Sequence, residues 1–226
     1  MLKKCSVSSI NVVNDCVERT DKMRCLGVWF DSILSFKFHV SEKCKIAFLN
    51  IRNIRSIRRF ITVEICKVLV VSLVLSHINY CNALLYGLPD CTLSKLQRVQ
   101  NVAAKLVLQR RRSDSSREAL RELHWLPIKL RIEYKIATLV FKCVHDMAPS
   151  YLKDLLSVKV PSRALRSSDE SGILFSVPVC SRKTFLDRSF AVSGPKVWNS
   201  LPSDIRSIDS IDVFKKQLKT FYFNQF

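Results

Sequence analysis

Residues Thr92–Arg112 read TLSKLQRVQNVAAKLVLQRRR, and the spacing of their apolar members decides the fold class. Leu93, Leu96, Val99, Ala103, Leu106 and Val107 recur mostly at intervals of three and four, the repeat that gathers side chains on one face of an α-helix. Thr92 is a suitable N-cap, and the helix is expected to run to about Arg112. The segment has no acidic residue. Lys95, Arg98, Lys105 and Arg112 share a neighbouring face, and Arg110-Arg111-Arg112 adds a dense cluster at the C-terminal end, where the helix dipole favours cations.

The same period extends outward in both directions. Upstream, Val63–Leu85 is apolar nearly all round, as a central bundle helix would be, and stops at Tyr86-Gly87-Leu88-Pro89. Its most apolar part, Val68–Leu75, is bracketed by Lys67 and His77 and falls far short of the ~20 residues a spanning helix needs. It is expected to be buried. In Ile46–Ile61 an apolar face of Ile46, Leu49, Ile54, Ile57, Phe60 and Ile61 opposes a basic face of Lys45, Arg52, Arg55 and Arg59. Downstream, helices are expected over Ser116–Leu123 and Ile128–Met147, with Pro127 at a first helical position.

The ends differ. Residues 1–34 are strand-like, with Ser6–Val13 and the apolar run Cys25–Phe30 as candidate strands. Pro161–Gly172 shifts toward Ser, Arg and Asp and is expected to be a linker. Beyond it come an apolar run, Ile173–Val179, a turn at Gly194-Pro195, and an amphipathic helix from about Ser210. The expected class is mainly α, a helical bundle with a short N-terminal β hairpin and a small irregular C-terminal α/β segment. The expected divisions are 1–37, 38–158, a linker at 159–172, and 173–226.

A 226-residue chain that is 48% hydrophobic can bury a real core and does not have the composition of a disordered one. Its 37 Lys and Arg against 19 Asp and Glu give +18, which points to a polyanionic partner. Nucleic acid is the reading favoured over an anionic membrane surface or a merely solvated basic face. The nine cysteines form no CxxC pair, and MLKKCSVSSI lacks an apolar leader core. Reduced intracellular thiols, mostly in the core, are expected, in a nuclear or cytoplasmic protein.

Signatures of catalysis are missing. The four glycines, Gly27, Gly87, Gly172 and Gly194, make no phosphate loop, and there is no HExxH or GxSxG. His39, His77, His124 and His145 are far apart, and none pairs with a cysteine at ligand spacing. His145 beside Cys143 reads as packing, and Cys81 as a buried helical thiol. No catalytic residue, metal ligand or cofactor is expected. Trp125, Trp198, Tyr86 and Tyr151 could stack on bases, but their apolar or proline-flanked settings favour packing.

Several strings, in order, resemble the downstream third of LINE-type (non-LTR) retrotransposon reverse transcriptases. Leu26-Gly27-Val28, continuing WFDSILSFKFHV, is similar to the LGV-x-x-D-x-x-L-x-F/W-x-x-H segment that follows the catalytic palm. Ile78–Pro89 (INYCNALLYGLP), Leu96–Ala104 (LQRVQNVAA) and His124–Ile132 (HWLPIKLRI) resemble successive thumb-region strings. Ala148–Leu156, Arg163–Ser168, Arg188–Pro202 and Phe214–Thr220 continue the match. The resemblance implies a primer-grip-like role for Leu26, Gly27 and Val28, and a thumb-like bundle that packs against a template–primer duplex. In the family, an aromatic-x-Asp-Asp hairpin holds the two metal ions of polymerisation. This sequence has no Asp-Asp pair. The expected function is therefore that of a truncated RNA-directed DNA polymerase fragment without its palm, retaining sequence-independent RNA or DNA binding. RNA or DNA backbone is the expected partner, with an intact polymerase in trans as a further one, and neither a small-molecule substrate nor a membrane. The alternative is a stand-alone basic helical module for nucleic-acid binding or protein interaction.

Overall fold

The computed structural model describes residues 9–12, 15–159, 173–179 and 186–226. Most of the expected linker, the string Arg163–Ser168, and Cys5 and Cys180 lie outside the described residues. The chain divides into two compact units, 1–39 and 40–226, and the second takes in the stretch 173–226 that the sequence sets apart.

The first unit contains two antiparallel hairpins, β1 (Ser9–Val12) with β2 (Asp15–Glu18) and β3 (Lys22–Cys25) with β4 (Val28–Asp31). A hairpin is found near the N-terminus as expected, and the run Cys25–Phe30 contains the turn of the second one. Cys25 pairs with Val28, and the two residues between them, Leu26 and Gly27, have φ of 45° and 81°. Positive φ at both central positions is what a two-residue turn matched to strand twist requires, and glycine adopts it without cost. Asp31 then holds the next loop. Its carboxylate accepts from the backbone N–H groups of Ile33 (3.2 Å), Ser35 (2.8 Å) and Phe36 (3.0 Å) and from the Ser35 hydroxyl (3.0 Å). These bonds fix the left-handed conformations of Leu34 and Phe36. Burial pushes the Asp31 pKa up, but the hydrogen bonds outweigh it and hold the group below its ordinary value.

The second unit is helical. Helix α1 (Lys37–Ile57) begins in the first unit and buries Val40, Cys44, Ala47, Ile51 and Ile54, followed by Arg58 in the turn beyond its end. This alternation of four and three is a narrower stripe than the expected one. Ile46, Leu49, Ile57 and Phe60 are exposed instead, Phe60 by 73%. Val63–Leu85 is likewise not one buried helix. Thr62 caps α2 (Val63–Val70), a π-helical turn spans Val71–Leu75, and α3 (Ser76–Asn79) follows. In the wide turn Ser72 Oγ donates to the Val68 (2.9 Å) and Leu69 (3.2 Å) carbonyls, and Ser76 Oγ to Ser72 O. Such back-bonding competes with the regular ladder. Only Cys66, Val70, Val74, Leu75, Ile78, Asn82 and Leu85 are buried in this stretch, and Val68 is 66% exposed. Cys81 adopts φ 52°, and a 3₁₀ turn covers Asn82–Leu85.

Helix α4 (Asp90–Val107) buries its expected stripe but starts before Thr92, which is itself buried, and ends five residues before Arg112. Its stop is a left-handed residue, Gln109 (φ 53°), with the Arg110 N–H returned to Lys105 O at 2.9 Å. Ser115 caps α5 (Ser116–Glu122), and α6 (Ile128–Val144) follows Pro127. After α7 (Ser150–Lys153), Val158 bridges Phe175. The Gly194-Pro195 pair makes no turn. It lies inside α8 (Phe190–Asn199), where a β-carbon on Gly194 would stand 3.2 Å from Val140 and 3.3 Å from Leu156. Close packing of α8 on α6 explains the glycine better than chain reversal does. Short α9 (Ser203–Arg206) leads to α10 (Ile211–Asn224), which begins just after Ser210, close to the expected start. Phe141 of α6 stacks on Phe214 of α10 at 4.2 Å, Trp198 of α8 lies 5.9 Å from Phe214, and all three are fully buried. The Trp198 indole N–H donates to Ile173 O at 2.8 Å, which ties the expected apolar run to this core. Among the described residues no helix is long and apolar enough to cross a membrane.

Candidate nucleic-acid interface

The basic residues singled out in the sequence lie on two helices and the loop after the second. On α1, Arg52 and Arg55 are exposed, as is Arg59 in the 3₁₀ turn that follows, each spaced by three or four residues on the side away from the buried stripe. The Arg59 guanidinium lies over the Phe60 ring at 4.6 Å, which steadies it without neutralising it. Lys45 is also exposed, but its ammonium pairs with Glu42 at 2.6 Å. On α4, Lys95 and Arg98 are exposed. Burial pushes the Cys44 thiol pKa up and the Lys95 charge opposes it, so Lys95 is close enough to α1 for its field to be felt there.

The cluster at Arg110–Arg112 does not form as expected. Because α4 has already ended, the three arginines sit in a loop and gain nothing from its dipole. Arg110 turns toward α5 and bonds Glu122 at 2.6 Å and Glu118 at 3.3 Å. The hydrogen bond to Glu122 and the two carboxylate charges hold the Arg110 pKa above its ordinary value. Its charge is thus engaged within the chain. Lys105 is half-buried and donates to Arg112 O at 2.9 Å, closing the same loop. Arg111 and Arg112 stay exposed. Among the described residues, Arg52, Arg55, Arg59, Lys95, Arg98, Arg111 and Arg112 form no side-chain ion pair. They are the cations available to an outside polyanion, whereas Lys45, Lys105 and Arg110 have partners already.

The sequence reading missed Arg58. It is 7% exposed, and its guanidinium donates to the carbonyls of Leu106 (3.1 Å), Val107 (2.8 Å) and Ile61 (2.8 Å). Two of these carbonyls lie at the C-terminal end of α4, where the helix dipole favours a cation. Arg58 therefore joins the two helices that carry the exposed cations. The signal was present: Arg58 follows Ile54 by four residues and continues the buried stripe.

The strings that carry the family resemblance also meet in space. Gln100 of α4, fully buried, donates to Leu126 O at 2.8 Å, and Gln97 Oε1 accepts the Ile128 N–H at 2.9 Å. Arg131 donates to Leu126 O (2.9 Å) and to Asn79 Oδ1 (3.1 Å). Side chains from three separate strings thus satisfy one another's polar groups. Leu26 and Gly27 make a hairpin turn and Val28 begins β4, with Leu26 exposed and Val28 buried. Of the candidate stacking aromatics, Trp125 and Trp198 are buried, Tyr86 is half-buried and Tyr151 is exposed. His145 packs on Phe141, centroids 4.2 Å apart. The described cysteines divide between buried Cys44, Cys66 and Cys143 and exposed Cys16, Cys25, Cys81 and Cys91, so they are not mostly core and Cys81 is not buried. Among the described residues no group of His, Cys, Asp and Glu could hold a metal ion. Comparison with protein-family models, curated proteins and solved structures returns no match to this chain.

Proposed function

We propose that this chain is the thumb-like helical region of a LINE-type reverse transcriptase and binds RNA or DNA through the phosphate backbone, without reading sequence. The observation that carries the binding is the set of exposed cations on α1, α4 and the loops after each helix that form no ion pair among the described residues, in a chain of net charge +18. Lys and Arg at such positions contact phosphate oxygens and confer affinity rather than specificity. The ordered strings support the ancestry, and their mutual hydrogen bonds supply a reason for those residues to occur together. With no Asp-Asp pair in its sequence, this region contributes grip and not phosphoryl transfer.

The test is binding to RNA–DNA heteroduplexes of unrelated sequence. The triple reversal Arg52→Glu, Arg55→Glu, Arg59→Glu should weaken binding to all of them alike, because it replaces phosphate contacts with phosphate repulsion and touches no base. Loss confined to one sequence, or no loss, would overturn the reading.

A second reading has its own observation. Large apolar side chains are exposed along α1, the turn that follows it and α2, among them Leu49, Phe60, Ile65 and Val68. Exposed apolar groups in such number favour a protein-interaction module, with an intact polymerase acting in trans as its partner. Co-purification with that polymerase, abolished by Phe60→Ser/Val68→Ser while duplex binding persists, would favour this reading over the first.

A further inference from the structure

A cleft of about 430 Å³ opens in the helical unit, between α3, the Asn82–Leu85 turn, the loop before α6, α6 itself and α10. That volume suits a small ligand. Arg131, Lys135 and Lys219 line it, and no Asp or Glu does. The Arg131 guanidinium bonds only neutral oxygens, Leu126 O and Asn79 Oδ1. Among the described residues none of the three cations forms an ion pair. Burial lowers the Arg131 pKa to about 10, so it is still charged at neutral pH. A largely buried charge without a counter-ion is costly, and an anion in the cleft would relieve that cost.

A second observation points the same way. Asn82 lines the cleft, is only 7% exposed, and makes no side-chain hydrogen bond with the described residues. The amide is not sealed from solvent, so a donor and an acceptor stand ready at the cleft wall. Trp125 and Tyr134 supply an aromatic lining beside the cations.

We propose that this cleft binds a phosphate or pyrophosphate group, with Arg131 as the planar fork, Lys135 and Lys219 as flexible point charges, and Asn82 as a neutral donor. Guanidinium and ammonium groups converging without a carboxylate select a compact multivalent anion over a carboxylic acid or a neutral solute. None of these residues belongs to the α1 and α4 rows, so the cleft is a separate site and can fail separately. The group has two sources, a free polyphosphate or the phosphorylated end of a nucleic-acid strand.

The experiment titrates the full chain with inorganic pyrophosphate at low ionic strength and follows the change in emission of Trp125, which lines the cleft, in a Trp29→Phe/Trp198→Phe background. Lys135 and Lys219 are exposed, so Lys135→Glu/Lys219→Glu leaves the fold intact. The double variant should bind pyrophosphate at least about tenfold more weakly, whereas the Arg52/Arg55/Arg59 reversal should bind as the wild type does. Asn82→Asp, which sets a carboxylate at the wall, should weaken binding as well. A 5′-phosphorylated oligonucleotide that outcompetes its 5′-hydroxyl twin would identify a strand end as the source, and equal competition a free polyphosphate. Absence of saturable pyrophosphate binding, or equal affinity in wild type and Lys135→Glu/Lys219→Glu, would overturn the proposal.

Discussion

Replacing Arg58 by methionine should destabilise the helical unit more than any other single change among the basic residues. Methionine keeps the length and apolar stem of arginine but donates nothing. Three bonds are lost, to Leu106, Val107 and Ile61, with lengths of 3.1, 2.8 and 2.8 Å. At about 1.5 kcal/mol for each bond made by a charged donor, the loss is about 4.5 kcal/mol. Removing a desolvated charge offsets part of this, and about 3 kcal/mol remains. Arg58→Lys keeps the charge without the fork and should cost about half as much. Arg59→Met, at the neighbouring exposed position, should cost less than about 0.5 kcal/mol. Urea denaturation followed by far-UV circular dichroism at 25 °C measures all three as shifts in midpoint at constant slope. If Arg58→Met proved no more costly than Arg59→Met, the buried cap joining α1 to α4 would be wrong.

Other outcomes test separate parts of the fold. Asp31 has a folded pKa below its ordinary 3.8, so the stability it contributes is full above that value and is lost as pH falls through the lower folded value. The pH dependence of Trp29 emission below pH 5 should therefore be reduced in Asp31→Asn, and identical curves for the two proteins would count against the Asp31 loop. Gly194→Ala gains about 1 kcal/mol of helix propensity but pushes into Val140, Leu156 and Phe190 at 3.2, 3.3 and 3.4 Å. Overpacking of about 1–3 kcal/mol should prevail and lower the thermal midpoint, and a raised midpoint would refute the close contact of α8 with α6. Burial raises the thiol pKa values of Cys44, Cys66 and Cys143, so native alkylation at pH 8 should spare them while modifying Cys16, Cys25, Cys81 and Cys91. Peptide mapping by mass spectrometry reads this directly, and rapid labelling of Cys66 would contradict the burial of the α2 face that carries Cys66 and Val70.

The sequence was most legible where large apolar residues repeat over a long segment. The stripe of α4, the start of α5 at Ser116 and the start of α10 after Ser210 all follow from period. Helix α1 was misread because its buried row is built partly from small residues, Cys44 and Ala47, which carry little weight beside Ile46, Leu49 and Phe60. A list of apolar residues cannot tell which of two faces finds a neighbour. Val63–Leu85 was misread for a related reason, since composition does not say how many of its sides are covered. Gly194-Pro195 looked like a turn from its dipeptide, whereas the packing of α8 on α6 uses the missing β-carbon and Pro195 gives up a single backbone donor. The candidate interface was legible as a set of cations but not as a set of available ones. Only the turn at Gln109 brings Arg110 against Glu118 and Glu122, and that pairing has no local signature. Arg58 was hidden by its type, because an arginine on a basic helix reads as solvent-facing until its row is traced back to Ile54.

The most direct test of the proposed interface is the salt dependence of duplex binding. If about six of the exposed cations on α1, α4 and the following loop engage phosphates, the logarithm of the binding constant should fall against the logarithm of salt with a slope of about −5. Arg52→Glu/Arg55→Glu/Arg59→Glu should flatten that slope by about 1 per residue, to about −2. A slope near zero in the wild-type chain, or one that the triple reversal leaves unchanged, would contradict the assignment of these helices to nucleic-acid binding.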